Sequence, residues 1–121
     1  MKLLLFAATL LFVGSAKLQA TEALMFSGGD YTLYILVGDG ERATVADVRV
    51  TVPGAKNYVH VPEGRLKIQK FDEKKQVLVM SFTNKNDPEA PPSFTFSAKK
   101  KKGVLTINGK TFTSEFDWLD E

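Results

Sequence analysis

Apolar and polar residues alternate along most of this chain with a period of two, the period of β-strands rather than the 3.6 of helices. Ala43–Val52 shows it most plainly. Ala46, Val48, Val50 and Val52 fall on one side, and Asp47, Arg49 and Thr51 on the other. Such a strand sets one face on a core and one in water. Arg65–Phe71 repeats the pattern, with Leu66 and Ile68 inward and Arg65, Lys67 and Gln69 outward. Phe94 and Phe96 share a face within Ser93–Ala98, and Phe112, Ser114, Phe116 and Trp118 share one at the end of the chain. Two segments, Tyr31–Val37 and Gln76–Thr83, are apolar on both faces. Gln76–Thr83, with Val77 and Val79 on one side and Leu78, Met80 and Phe82 on the other, is therefore expected to be the central strand, covered on both sides.

Turn residues punctuate these segments every eight to twelve positions. Ser27-Gly28-Gly29-Asp30, Gly38-Asp39-Gly40-Glu41, Pro53-Gly54, Pro62-Glu63-Gly64 and Asp72-Glu73-Lys74-Lys75 each read as a turn. Asn108-Gly109 is a strong two-residue hairpin signal. The longest irregular stretch, Asn84–Pro92, holds Pro88, Pro91 and Pro92 and is expected to bridge two sheets, because proline cannot sit in a paired strand. Helix formers gather only in Thr21–Phe26, six residues that are too few to establish an element. The expected fold is all-β: a small antiparallel meander closed as a two-sheet β-sandwich, with a flattened β-barrel as the alternative.

The first twenty residues break this pattern. Met1-Lys2, an apolar run over Leu3–Val13 and a small-residue region up to Ala20 have the three parts of a secretory signal peptide. A run of eleven residues is too short to cross a bilayer, which takes about 20. Cleavage after Ala16 or Ala20 fits the pattern. With Ala20 as the boundary, 1–20 is the leader and 21–121 a single all-β domain without a transmembrane span, located in the periplasm or outside the cell.

Charge takes on a different meaning once the leader is set aside. The whole chain has 16 basic and 14 acidic residues and a net charge of +2. Lys2 and Lys17 account for that excess, so the domain is balanced and no general affinity for nucleic acid is expected. The chain has no cysteine, which excludes disulfides, thiolate metal sites and a cysteine nucleophile. It also has no Asn-x-Ser/Thr acceptor.

Candidate chemistry is sparse. His60 is the one histidine; without a Gly-x-Ser-x-Gly elbow or further His and Cys ligands, it supports neither a triad nor a zinc site, and it reads as an exposed strand residue. Asn84-Lys85-Asn86-Asp87-Pro88-Glu89 clusters oxygen atoms but departs from the EF-hand spacing, so it reads as a polar loop rather than a calcium site. No cofactor or metal is expected. Two features remain as binding candidates. Lys99, Lys100, Lys101 and Lys102 form the densest charge run, suited to an anionic surface, although a solvated hairpin tip is the favoured reading because the rest of the domain is charge-balanced. Trp118 lies past the last strand among acids, as a cap on the end of the fold or a contact for a partner. The expected function is that of an exported, non-enzymatic domain that binds an unknown protein or envelope component through a strand edge or the lysine turn. A carrier of small apolar ligands in a barrel cavity is the alternative, and a hydrolase using acids alone ranks third.

Overall fold

The computed structural model describes residues 20–38 and 44–118. The expected leader, apart from Ala20, and the loop at 39–41 lie outside the described residues. Nine strands are described: β1 (Ala20–Gly28), β2 (Tyr31–Gly38), β3 (Thr44–Thr51), β4 (Val59–His60), β5 (Leu66–Asp72), β6 (Val77–Phe82), β7 (Phe94–Lys99), β8 (Lys102–Ile107) and β9 (Lys110–Glu115). They form two antiparallel sheets, each a simple meander, in the orders β1-β2-β3-β4 and β9-β8-β7-β6-β5. The architecture is an all-β sandwich and not a closed barrel. Among the described residues no helix is long and apolar enough to cross a membrane.

Alternation builds the core directly. In β2, Tyr31, Leu33, Ile35 and Val37 are buried and their neighbours are not; in β6, Leu78, Met80 and Phe82 are buried and Val77 and Val79 half-buried. Phe26, Phe96 and Phe116 lock the two sheets together, with Phe96 ring centroids 5.1 Å from Phe26 and 5.5 Å from Phe116. Gly103 permits this approach, since a Cβ there would lie 2.8 Å from the ring of Phe26.

Several expectations need correction. Asn84–Pro92 does not join the sheets. It closes a hairpin between neighbours β6 and β7, whose ends pair Phe82 with Phe94. The crossing between sheets is made instead by Val61, Pro62 and a single 3-10 turn, Glu63–Arg65. Nor is β6 the middle strand: that place belongs to β7, and the outward side of β6 is half-buried rather than covered by another layer. Thr21–Phe26, for which no element is expected from the sequence, lies within the edge strand β1, where Leu24 and Phe26 point into the core and Met25 points out.

Two bulges shift the phase of the pattern. Leu36 pairs with Asp47 but Val37 with Val45, which leaves Ala46 as an extra, exposed residue and turns Val45 to the core in its place. Ile68 pairs with Met80 but Lys70 with Val79, so Gln69 is extra and Phe71 returns to the inner side. The two edges of the sandwich also differ. Phe112 seals the β1–β9 edge, 5.8 Å from Tyr31 between ring centroids and directly above Gly29, whose φ of +58° belongs to the hairpin turn. The β3–β5 edge stays open as a cleft of about 410 Å³ lined by Val45, Val48, Val61, Leu66 and Ile68, with Asp47, His60 and Glu63 also lining it. Leu66 and Ile68 thus do face inward, but Ile68 remains 39% exposed because no described residue closes that side.

Candidate functional site

The outward residues of β1–β4 are set in rows by the strand register. One row runs Met25, Tyr34, Arg49, His60 across all four strands. Asp47 and Tyr58 stand beside it. Arg49 sits at the centre: its Nε donates to Asp47 Oδ2 at 2.9 Å, one terminal nitrogen donates to Tyr58 Oη at 3.0 Å, and its guanidinium carbon lies 4.8 Å from the centre of the Tyr58 ring. His60 Nδ1 approaches the same Asp47 oxygen at 3.3 Å. Tyr58 meets Tyr34 and His60 edge to face, with centroids 6.3 and 5.6 Å apart. Planar side chains with few rotatable bonds are thereby held in fixed orientation around one carboxylate, while Met25 and Tyr58 remain 53% and 44% exposed.

This cluster mixes three kinds of recognition in one place: aromatic edges, a guanidinium with donors to spare, and an exposed thioether. Asp47 and His60 are residue types found in a hydrolytic triad, but their further neighbours are Arg49 and Tyr58 rather than a serine or cysteine. Sequence reasoning found His60 as an exposed strand residue, and its side chain is 59% exposed. It missed Tyr34, Arg49 and Tyr58 as a group. The available signal was that Tyr34, Asp47, Arg49, Tyr58 and His60 all fall at outward positions; their adjacency depends on register between strands, which spacing along the chain does not reveal.

The lysine run forms the hairpin turn between β7 and β8, with Lys99 paired to Lys102 and Lys100 at a φ of +55°. All four side chains are exposed. Trp118 joins this turn. Its indole N–H donates to the Lys100 carbonyl at 2.7 Å, its ring stacks on Phe71 at 6.4 Å, and its edge meets Phe116 at 5.2 Å. It is half-buried against the core and braces the turn from below.

The Asn84–Glu89 oxygens are largely committed to the loop. Asn84 Nδ2 donates to the carbonyls of Asp87 (3.0 Å) and Pro91 (2.8 Å), and its Oδ1 accepts the Asp87 N–H at 2.7 Å. Asp87 Oδ1 in turn accepts the Glu89 N–H at 2.9 Å. Among the described residues no group of three or more His, Cys, Asp or Glu side chains is placed to hold a metal ion. No protein-family model, curated protein or solved structure matches this chain.

Proposed function

We propose that the chain is an exported, non-enzymatic interaction domain that recognises another protein through the outer face of its four-stranded sheet. The observation that carries this reading is the makeup of that face. Tyr, Arg and Met are the residue types enriched at protein interfaces, and Tyr and Arg dominate binding hot spots. Here Tyr34, Tyr58, Arg49 and Met25 lie side by side, and Arg49 is already held in place by Asp47. Pre-ordering of this kind lowers the entropy cost of association. Support for export comes from the leader pattern of residues 1–20.

The test is capture from the host's envelope fraction with the wild-type protein, with Arg49→Ala, with Tyr58→Ala and with Thr95→Ala as a control on the opposite sheet. A partner retained by wild type and Thr95→Ala but lost by the other two supports the face. Equal retention by the wild type and all three variants rejects it.

The carrier reading has one observation in its favour, the apolar cleft at the β3–β5 edge. Native mass spectrometry decides it: a bound mass of small-molecule size, lost on denaturation and absent from an Ile68→Trp variant that fills the cleft, favours a carrier.

A further inference from the structure

The lysine turn does not stand alone. The neighbouring β5–β6 turn adds Lys74 and Lys75, and the Lys100 N–H donates to the Gln76 carbonyl at 2.9 Å, which fixes the two turns side by side. The Phe116 N–H donates to the Lys101 carbonyl at 2.8 Å, and Trp118 takes the Lys100 carbonyl. The backbone of the β7–β8 turn is therefore bound to the protein behind it, while the six lysine side chains, Lys74, Lys75 and Lys99 to Lys102, are all exposed. None of them lies within ion-pair distance of a carboxylate among the described residues. Asp72 is occupied by the Lys75 backbone N–H at 3.1 Å, and Glu115 stands across from Lys102. Asp72, Glu73, Glu115 and Asp117 are the described carboxylates on or next to the two turns, fewer than the six lysines that the turns carry.

We infer that this end of the sandwich docks on an anionic lipid surface. The chemistry selects the partner. The six cations are all primary amines on flexible stems, without the arginine forks that read individual phosphates bidentately. No aromatic is interleaved among them to stack bases. They project from the tips of two adjacent hairpins instead of lining a pocket, so a broad surface of uniform charge meets them together, as the headgroup layer of a bilayer does. Each lysine near such a surface contributes a small attraction, and their sum falls steeply with salt. The opposite sheet face proposed above for protein recognition uses none of these residues, so the two proposals stand or fall separately.

The experiment is co-sedimentation of the protein recovered from its host with phosphatidylglycerol-containing vesicles and with pure phosphatidylcholine vesicles, at low and high salt. Three variants accompany it: Lys99, Lys100, Lys101 and Lys102 all changed to Gln; Lys74 and Lys75 changed to Gln; and, as a control, Lys56, Lys67, Lys85 and Lys110 changed to Gln. Wild type should partition onto anionic vesicles at low salt only. The four-lysine tip variant should bind at least about tenfold more weakly and the Lys74/Lys75 variant several-fold more weakly, with the control near wild type. All substitutions are at exposed positions, and an unchanged melting midpoint confirms that each variant is folded. The inference is overturned if wild type stays in solution with anionic vesicles, if the control variant loses as much binding as the tip variant, or if heparin or single-stranded DNA is bound while the vesicles are not.

Discussion

On the outside of the five-stranded sheet, Ser81, Thr95, Thr106 and Thr111 stand in one row across β6, β7, β8 and β9. On the outside of the four-stranded sheet the corresponding row is Met25, Tyr34, Arg49 and His60. The inner faces of the two sheets are alike in being apolar and rich in Leu, Ile and Phe, with Val37, Val48 and Val50 added in the four-stranded sheet and Met80 and Ala98 in the five-stranded one. The hydroxyl row is what a solvated strand surface calls for: small β-formers that bond one another, as Thr106 and Thr111 do at 3.0 Å, or a neighbour, as Ser81 accepts from Gln69 at 3.0 Å. Folding alone gives no comparable reason for the other row. Ordering an arginine and two tyrosines on an open surface costs side-chain entropy, and an exposed Met25 gains nothing from burial. The inner faces therefore account for the fold, and the contrast between the outer faces points to where the molecule makes contact.

That contrast can be broken or sharpened by substitution. The largest effect belongs to the shared interior. Phe96→Ala should lower stability by about 3–5 kcal/mol, read from urea unfolding, because it removes the ring that joins Phe26 to Phe116. Next comes the aromatic face. Arg49→Ala should weaken partner binding by about 2 kcal/mol or more, while its unfolding midpoint moves little, since a surface ion pair contributes only about 0–1 kcal/mol. A loss of stability as large as the loss of binding would make Arg49 a structural residue and dissolve the contrast. Asn84→Ala should cost about 1–3 kcal/mol of stability with no effect on binding, because its amide holds the β6–β7 loop through the Asp87 and Pro91 carbonyls. Trp118→Phe keeps an aromatic ring and removes one hydrogen bond to the lysine turn, so about 1 kcal/mol is expected in thermal unfolding. Thr95→Ala on the hydroxyl row should stay within about 0.5 kcal/mol in stability and leave binding unchanged.

Much of the fold was legible because alternation is local. Val48 and Val50, Phe94 and Phe96, and the Asn108-Gly109 turn, whose φ angles are +53° and +75°, stand where a reading along the chain puts them. The failures share a cause. At Ala46 and Gln69 a single extra residue reverses which side chains face the core, and nothing in the local pattern marks it. Thr21–Phe26, whose Glu, Ala, Leu and Met are too few to establish an element, is set as a strand by pairing with β2. The prolines of Asn84–Pro92 correctly end a strand but do not say where the chain goes next; Asn84 folds the loop back on itself, and the shorter Val61–Arg65 segment makes the crossing. The site was the least legible part. Tyr34, Arg49 and Tyr58 come from three separate segments, and only the register of β2 and β3, with Tyr58 just before β4, makes them neighbours.

The most direct test of the central claim is photo-crosslinking in the host, with a light-activated residue placed at Met25 on the aromatic face and, separately, at Thr113 on the hydroxyl face. Both positions are exposed and neither belongs to the core. A discrete product from position 25, absent from position 113 and lost when Arg49→Ala is added, is the predicted result. Products of equal strength from both faces, or a product from position 113 alone, would contradict the assignment of the four-stranded sheet as the contact surface.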